Sequence, residues 1–293
     1  MKELFINLEG GSAMINKVKN ICLKAILYVI LAAFSFASVY PLIWMAFNSL
    51  KNNDEIFSTN VYGFPTHFRF ENYVNAVTQF DILSFFKNSI IVSATTVVFT
   101  ILIAMMFSYA TARMKWKLSN MVRTYAILGM FIPVQIIIIP LAILVRDLRL
   151  QNTLLSVIIP YIVFNLSFTS MVFYAYFRSI PYEMEESAAI DGASIYRCFF
   201  LIIMPLVKPA VASASIFVFL NAWNELFTAL VVISNNKLKT LPLGLAYFQG
   251  QFATDWGASA AAMTIASIAP IVIYLLFSKQ VEKALTIGAA VKG

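Results

Sequence analysis

Residues 181–209, PYEMEESAAIDGASIYRCFFLIIMPLVKP, form a polar and acidic stretch between two hydrophobic ones. Pro181 suits a first helical turn because its φ is fixed and it lacks an N–H, and three glutamates follow where the helix dipole favours carboxylates. Asp191-Gly192 predicts a turn, since glycine accepts a positive φ at the end of a helix, and Ser194 can cap a second helix. The stretch therefore predicts a helix–turn–helix whose polar face another protein can bind.

The rest of the chain is built from long, almost uncharged intervals. Only 12% of its 293 residues are charged, against about 25% in an average soluble domain. A helix needs about 20 apolar residues to cross the hydrocarbon core, and lipid forces each spanning segment to satisfy its own backbone groups. The composition therefore predicts an all-α membrane protein with six transmembrane helices, at about 25–47, 88–112, 124–145, 154–177, 206–233 and 259–278.

Lysine and arginine predict the orientation of these helices. With the N-terminus inside, the inner segments hold 14 of the 21 basic residues and the outer segments hold 7. An excess of basic residues marks the cytoplasmic side, so we expect both termini in the cytoplasm. Residues 178–197 are an exception on that side, since two arginines and four acidic residues give them a net charge of −2. An acidic segment suits a basic cleft on a cytoplasmic protein better than anionic lipid.

We expect one transmembrane domain over residues 21–293, preceded by a cytoplasmic N-terminal segment, residues 1–20, that is partly disordered. Gly10-Gly11-Ser12 predicts a break in any helix within that segment. Aromatic residues in the first outer loop, residues 48–87, predict a folded flap at the membrane surface rather than a linker. Prolines within the spans mark either discontinuous helices that line a pathway or bent packing helices, and the sequence favours neither.

Residues that could carry chemistry are sparse. Cys22 and Cys198 both lie near the predicted cytoplasmic face, where thiols stay reduced, and neither they nor the lone His67 has the neighbours of a metal site. No nucleophile–base constellation occurs within the spans, and no phosphate-binding loop of the form G-x-x-x-x-G-K-[ST] is present. The sequence therefore predicts no catalytic, cofactor-binding or metal-binding residue, and we expect that the chain is not an enzyme.

The spacing within residues 181–209 resembles the EAA loop of ABC-importer permeases. That loop has the pattern Glu-Ala-Ala, three residues, Gly, nine residues, Ile, one residue and Leu-Pro. Here the same spacing holds Glu186-Ser187-Ala188, Gly192, Ile202 and Met204-Pro205. Ser187 and Met204 replace an Ala and a Leu of similar size, so the pattern is kept.

Further motifs resemble the carbohydrate-importing branch of that family, in particular the maltose-type partner without a large inserted outer domain. They are Ile190-Asp191-Gly192-Ala193, Pro205-Leu206, Asn221–Glu225, Thr240–Gly244, Asp255-Trp256-Gly257 and the tail Leu285–Gly293. The tail departs from the family's Leu-Thr-x-Gly-Ala-Val-Lys-Gly ending by one extra Ala. The resemblance covers the chain from about residue 20 to its end.

This resemblance implies the transmembrane permease subunit of an ATP-driven ABC importer for a sugar or oligosaccharide, in the inner (cytoplasmic) membrane of a bacterial cell. The implied partners are a homologous second permease, two cytoplasmic ATPase subunits and an extracytoplasmic sugar-binding protein, with no nucleic acid. ATP and magnesium would be bound by the ATPase, and this chain would hold no cofactor. The residues implied in ATPase coupling are Glu186, Ser187, Ala188, Asp191, Gly192 and Pro205.

Glu225 is the only acidic residue within a predicted span. Its transfer into hydrocarbon costs about 3 kcal/mol, so we expect it to face protein or water. Trp223 and Asn224 beside it offer stacking and hydrogen bonds to a sugar, and Asn165 in the fourth span is a further candidate for the pathway. The same group could instead form a polar clamp or gate against a second permease.

Three other functions remain open from the sequence. The same machine could import glycerol-phosphate or a polyol, because the residues do not separate these solutes from sugars. An ion-coupled secondary transporter typically shows internal repeats and several acidic residues within its membrane spans. The predicted spans of this chain hold one acidic residue, and the sequence shows no repeat. An intramembrane enzyme would need paired carboxylates or a buried histidine, which the spans lack.

Overall fold

The computed structural model describes residues 2–251 and 255–290, with side chains described for residues 20–247 and 255–278. No strand occurs in these ranges, and the regular elements are helices. The first six are α1 (Lys2–Asn48), α2 (Glu71–Thr78), α3 (Ile82–Ala112), α4 (Ser119–Leu128), α5 (Val134–Asp147) and α6 (Leu155–Ser179). They are followed by α7 (Glu183–Ile190), α8 (Ile195–Leu206), α9 (Lys208–Asn224), α10 (Phe227–Val232), α11 (Leu241–Gln251) and α12 (Trp256–Ala290).

Four of the described helices are long and apolar enough to cross a membrane: α1 over Asn20–Asn48, α3, α6, and α12 over Trp256–Ser278. Two further pairs pass the same test if each bent pair counts as one span. These are α4 with α5, bent by 103°, and α8 with α9, bent by 76°. The prediction of an all-helical protein with long apolar helices is thus confirmed, with four to six candidate spans. The count of six and the cytoplasmic termini stay predictions.

The third predicted span, residues 124–145, is broken at Pro133. α4 and α5 are separate helices, and Ile132 between them is extended, with φ −90° and ψ 112°. The residue before a proline avoids the helical conformation for steric reasons, which explains the break. Pro140 and Pro160 remain inside α5 and α6. Of the two interpretations that the sequence left open, Pro133 thus marks a discontinuous helix, whereas Pro140 and Pro160 lie inside continuous ones.

The fifth predicted span, residues 206–233, is also interrupted. α9 ends at Asn224, Glu225 is extended with φ −72° and ψ 123°, and α10 begins at Phe227. The prediction of a single helix here is therefore wrong. At the break, the Glu225 carboxylate accepts the N–H of Thr228 in the first turn of α10. A carboxylate that satisfies a free N–H in the first turn of a helix stabilises a new helix start at that point.

The first helix is longer than the sequence predicts. α1 continues through Gly10-Gly11-Ser12, so the predicted helix break in this segment is absent. A glycine inside a helix costs about 1 kcal/mol relative to alanine, which a helix of 47 residues can tolerate. The cytoplasmic location and the partial disorder of residues 1–20 stay predictions.

Residues up to Asn72 together with Asp255–Thr264 form one compact unit. In this unit the side-chain amide of Asn72 donates to the backbone oxygens of Ser49 and Lys51, both at 2.9 Å. These bonds close residues 49–72, here called the flap, into a folded segment. The prediction that the loop after α1 is folded rather than a linker is confirmed for the flap, while its location at the membrane surface stays a prediction.

The other residues form a second unit, in which α3 packs along α6. The buried face of α3 includes a series of small and polar residues, namely Ser89, Ser93, Thr96, Thr100, Ala104 and Ser108. Small residues let two helix backbones approach closely in lipid, and the Ser108 hydroxyl donates to the backbone oxygen of Ser170 at 2.8 Å. An aromatic cluster follows toward the C-terminal end of α3, consisting of Tyr109, Phe173, Phe177 and Phe199.

Candidate functional site

The turn between α7 and α8 is closed by two backbone hydrogen bonds. The N–H of Gly192 donates to the oxygen of Ala189 at 3.0 Å, and the N–H of Ala193 donates to the oxygen of Ala188 at 2.9 Å, which is the Schellman arrangement of a helix end. Gly192 has a φ of 78°, a conformation that strains residues with a Cβ. The predicted glycine turn after Asp191 is confirmed, and it fixes α7 and α8 as one hairpin.

α8 begins with a side-chain cap and ends at a bend. The Ser194 hydroxyl oxygen accepts the N–H of Arg197 at 3.3 Å, as the sequence predicts. Residues Cys198–Ile203 then form π-helical turns, and Pro205 lies in the last turn of α8. The 76° bend between α8 and α9 sets the hairpin at a steep angle to the axis of α9.

The acidic residues of α7 face two directions. Glu183 and Glu186 are exposed, whereas Glu185 turns inward and pairs with Arg113, with 2.7 Å between Nη2 and Oε2. The side chain of Arg113 is 2% exposed and that of Glu185 is 17% exposed. Ala188 follows Glu185 by three residues on the same face and is buried in the chain's own core. Its methyl group thus packs inside this chain, and the role of Ala188 in ATPase coupling stays a prediction.

The opposite face of the hairpin combines acidic and apolar residues. Glu186, Ser187 and Asp191 are exposed, and beside them Ile190 is 87% exposed. Tyr196 at the start of α8 is exposed as well. Large apolar side chains left in water and bordered by polar groups are typical of protein-binding surfaces. These five residues are called the exposed face of the hairpin below.

A pocket of about 380 Å³ lies between α6 and α9. Its polar lining comes from Tyr161 and Asn165 on α6 and from Asn221, Asn224 and Glu225 at the end of α9. The Asn221 amide donates to the side-chain oxygen of Asn165 at 3.0 Å, and the Asn165 amide donates to the backbone oxygen of Tyr161 at 2.8 Å. Amides held in place in this way can bind the hydroxyl groups of a polar ligand.

Glu225 stands at the break after α9 and is half-buried. Its two carboxylate oxygens accept the N–H of Thr228, at 3.0 and 3.2 Å. Its backbone oxygen accepts the Tyr161 hydroxyl at 3.2 Å. No ion pair involves Glu225 among the side chains that the structure describes. The expectation that this carboxylate faces protein or water agrees with its place at the pocket wall.

Trp223 does not line this pocket. It is 3% exposed, its ring stacks on Phe219 and meets Phe86 edge-on, each with centroids 5.4 Å apart. With its ring packed in the core, Trp223 presents no open face to a sugar in this structure, and its part in the pathway or gate stays a prediction. Successive helical residues point about 100° apart, so that Asn224 reaches the pocket while Trp223 packs into the core.

No metal centre is formed by the described side chains, since no three of their His, Cys, Asp or Glu residues come together. Cys22 is exposed and Cys198 is buried, and both are free thiols. Two of the features described above, the hairpin α7–α8 and the pocket between α6 and α9, combine exposed polar groups with a defined geometry and are the candidates for a function.

Residues 104–287 match the protein family described as binding-protein-dependent transport system inner membrane component. The chain belongs to this family. One relative of this inner membrane component is the probable ABC transporter permease protein YurM of Bacillus subtilis (strain 168), with 34% identity over 91% of this chain and 88% of the relative. Another is the diacetylchitobiose uptake system permease protein DasC of Streptomyces coelicolor, with 34% identity over 87% of this chain and 92% of the relative.

A solved structure has the same fold as this chain. It is the crystal structure of a bacterial ABC transporter involved in the import of the acidic polysaccharide alginate. The TM-score is 0.75 over 88% of this chain and 95% of that chain, with 20% sequence identity. A likeness at this identity shows a shared fold and nothing about the cargo.

Among the site residues that the sequence analysis did not single out are Arg113, Glu185 and Asn221. One signal could have found Glu185, since it lies three residues before Ala188 and so shares the packing face of α7. Asn221 stands three residues before Asn224 on α9 and reaches the same pocket for the same reason. No local signal identifies Arg113, because its partners are 64 to 72 residues away along the chain.

Proposed function

We propose that this chain is the transmembrane permease subunit of an ATP-driven importer for a sugar or oligosaccharide, and that a separate ATPase subunit moves it through the hairpin α7–α8. The observation that carries the proposal is the geometry of the hairpin, with its closed turn, buried inner side and exposed acidic and apolar face. Membership of the family supports the importer. The relative named as a diacetylchitobiose uptake permease supports a saccharide as the cargo.

The proposed machine surrounds this chain with a homologous second permease, two cytoplasmic ATPase subunits and an extracytoplasmic sugar-binding protein in a bacterial inner membrane. Six transmembrane helices, with each bent pair counted as one, would leave the hairpin and both termini in the cytoplasm. The two-to-one excess of basic residues on that side supports this orientation. ATP and magnesium belong to the ATPase in this proposal, since the sequence holds no phosphate-binding loop.

The exposed face of the hairpin is the proposed contact with the ATPase. Glu186 would pair with a basic residue there, and Ile190 would enter an apolar hollow next to it. Gly192 allows the turn to close and adds no side chain that would separate the hairpin from the ATPase. Pro205 fixes the end of α8. Ala188 serves the same contact indirectly, because its small side chain lets α7 pack closely on the core.

The pocket between α6 and α9 is the proposed contribution of this chain to the translocation pathway. Asn165, Asn221 and Asn224 offer amide groups, and Glu225 offers a carboxylate. Together they can donate to and accept from the hydroxyl groups of a sugar. The same polar groups would also suit a clamp against the second permease, and a variant of Glu225 separates these two roles below.

Transport in this proposal is a shift between two conformations. Closure of the ATPase pair on ATP moves the docked hairpin, so that α6 and α9 tilt and the pocket opens outward, and hydrolysis returns the inward-facing state. The connections to the hairpin are short, with residues 180–182 before α7 and Val207 after α8. The hairpin is therefore continuous in the chain with α6 and α9, the two helices that form the walls of the pocket.

Photocrosslinking tests this function in proteoliposomes that hold the wild-type partners and the sugar-binding protein. A photoreactive amino acid replaces Ile190 in one preparation and Tyr62, an exposed residue of the flap, in the control. We expect a covalent adduct with the ATPase from position 190 and none from position 62. Sugar uptake that proceeds without an adduct from position 190 would contradict coupling through the hairpin. Absence of sugar-stimulated ATP hydrolysis by the wild-type assembly would contradict the importer.

A further inference from the structure

Arg113, the residue after α3, contacts the start of α7 through one buried side chain. Its Nε donates to the Glu185 carboxylate at 2.7 Å, and its Nη2 forms an ion pair with the same carboxylate oxygen, also at 2.7 Å. It also lies over the ring of Tyr182, 3.7 Å from the ring centroid. The C-terminal end of α3 is thus fixed to the first turn of α7.

The same guanidinium binds the C-terminal end of α6. Its Nη1 donates to the backbone oxygens of Phe177 at 3.1 Å and Ile180 at 2.9 Å, and its Nη2 lies 3.3 Å from the oxygen of Pro181. The last carbonyl groups of a helix have no partners within it and carry a partial negative charge. Arg113 therefore stands where a helix end most favours a cation.

Neighbouring groups extend this junction to α8. The Glu185 carboxylate interacts electrostatically with the Tyr109 hydroxyl on α3 and with the Cys198 thiol on α8. The Tyr182 hydroxyl donates to the backbone oxygen of Ala112 at 3.4 Å. The ends of α3 and α6 and the starts of α7 and α8 therefore meet around one ion pair.

We propose that Arg113 is a positioning residue that makes the hairpin move as one body with the ends of α3 and α6. This inference rests on the proposed function, because it concerns how a displacement of the hairpin reaches the pocket. α6 gives its terminal carbonyls to Arg113 and carries Tyr161 and Asn165 at the pocket. A hairpin attached to α6 through residues 180–182 alone would bend at that connection and leave the pocket wall in place.

The contacts require an arginine rather than any cation. The guanidinium is a planar fork with five N–H donors, so it serves a carboxylate and several carbonyl groups at once, whereas a lysine is a compact charge with three rotatable donors. Arg113→Lys keeps a positive charge beside Glu185 but cannot hold α6 and α7 together. This variant therefore separates the neutralisation of a buried charge from the positioning of the hairpin.

A second variant protects the test from a simple loss of folding. The double variant Arg113→Met with Glu185→Met removes both charges together, and an apolar replacement of a whole buried ion pair is often neutral for stability. It also removes the bonds to α6. Arg146→Lys is the matched control, because its ion pair with Asp147 at 3.0 Å is exposed, at 64% and 59%.

The decisive measurement is the amount of sugar transported per ATP hydrolysed by the full assembly in proteoliposomes. One site typically changes the equilibrium at a coupled second site by a factor of about 5 to 150. The amount of sugar transported per ATP hydrolysed should therefore fall at least about five-fold in both variants at position 113. Arg146→Lys should keep the wild-type quotient. A purely structural role of Arg113 would lower the yield of assembled complex and leave the quotient unchanged.

Amide hydrogen exchange of the full chain gives a second readout that needs no partner. The amides of α7 should exchange at least about five-fold faster in both variants than in the wild type. An unchanged quotient, or unchanged exchange in α7, would overturn the inference. Failure of both variants to assemble would overturn it too, since Arg113 would then serve folding alone. A wild-type assembly without sugar-stimulated ATP hydrolysis would instead refute the proposed function, and the exchange of α7 would still test Arg113.

Discussion

The carboxylate of Glu225 accepts the backbone N–H of Thr228 at 3.0 Å, across the break between α9 and α10. The same carboxylate lines the pocket between α6 and α9. One acidic group thus stabilises the start of a helix and faces the proposed pathway. Substitutions that keep or remove its hydrogen-bond acceptor separate these two roles.

Glu225→Gln should keep the fold and weaken the binding of sugar. The glutamine side-chain oxygen still accepts the N–H of Thr228, but a neutral hydrogen bond to a ligand is roughly half as strong as one to a charged group. We expect the KM for uptake to rise about ten-fold, which corresponds to about 1.4 kcal/mol. Uptake kinetics in proteoliposomes measure this change.

The matched variant Glu225→Ala removes the acceptor as well as the charge. It should lower the free energy of unfolding by about 1 kcal/mol, as the loss of a helix cap does, and thermal unfolding of the purified chain measures this. If Glu225→Gln instead prevents assembly with the second permease, the residue forms a clamp and does not contact the sugar.

Gly192→Asp should leave membrane insertion intact and abolish sugar-stimulated ATP hydrolysis. A Cβ at Gly192 would meet no atom within 4 Å, and aspartate and asparagine tolerate a positive φ better than most residues. The turn should therefore still form, while the new side chain projects from the exposed face of the hairpin. Hydrolysis by the reconstituted complex measures the effect.

The neutral variant Gly192→Asn is the control for charge at this turn. It adds nearly the same volume as aspartate, so a loss of coupling in both variants assigns the effect to the bulk of the side chain. A loss in Gly192→Asp alone would assign it to the negative charge. Wild-type coupling in both would remove Gly192 from the contact with the ATPase.

Ser194→Ala should destabilise the hairpin by about 1 kcal/mol, because α8 loses the acceptor that satisfies its free N–H groups. Ser187→Ala is the comparison, since the Ser187 hydroxyl donates to the oxygen of Glu183 within α7 at 2.8 Å and caps no helix end. Alanine favours a helix interior more than serine does, so this second change should be neutral or slightly stabilising. Hydrogen exchange of residues 183–206 distinguishes the two variants.

Acid should destabilise the flap through Glu55. This buried carboxylate accepts the hydroxyl and the N–H of Thr66, and the hydroxyl bond above all lowers the pKa of Glu55 from its ordinary value of 4.5, with help from His67 and Lys51. Because the folded pKa lies below the unfolded one, the stabilisation is fully present above pH 4.5. It is lost as the pH falls through the lower, folded value.

Thr66→Val tests this relation between Thr66 and Glu55. Without the hydroxyl the pKa of Glu55 should rise toward 4.5, so the acid transition of the flap should move to higher pH. The Trp44 indole N–H donates to the backbone oxygen of Val61 in the flap at 2.8 Å. Subtracting the fluorescence of a chain that lacks Trp44 isolates the signal of this indole, which reports the acid transition of the flap. Thr59→Val, at an exposed position of the flap, should leave it in place. Equal transitions in both variants would refute the role of Thr66.

Local signals in the sequence were sufficient for the hairpin turn and for the long helices. Gly192 and Ser194 act through backbone rules that involve only a few neighbouring residues, so their predicted roles in the turn and the cap hold in the structure. The uncharged interval 88–112 lies within α3, and the interval 154–177 coincides with α6 from Leu155 onward, because a helix that crosses a membrane needs about 20 apolar residues.

The remaining features depend on contacts between distant parts of the chain. Pro133 breaks a helix while Pro140 and Pro160 do not, and the residue type is the same in all three. The ion pair of Arg113 with Glu185 joins residues far apart in the sequence, and no spacing rule predicts it. The burial of Trp223 was not predicted because the order of residues along α9 does not tell which side of that helix meets the core.

The π-helical turns at Cys198–Ile203 have a consequence for the length of this segment. Each residue in an α-helix turns the chain by about 100°, and π-helical turns take up an additional residue without lengthening the helix by a full step. Deleting one residue here would convert the π-helical turns into regular α-helix. The part of the chain that precedes the deletion, including α7, would then rotate about the axis of α8. The acidic side chains of α7 would then point elsewhere although none had been replaced, so insertions and deletions between Arg197 and Met204 should be tolerated far less than substitutions.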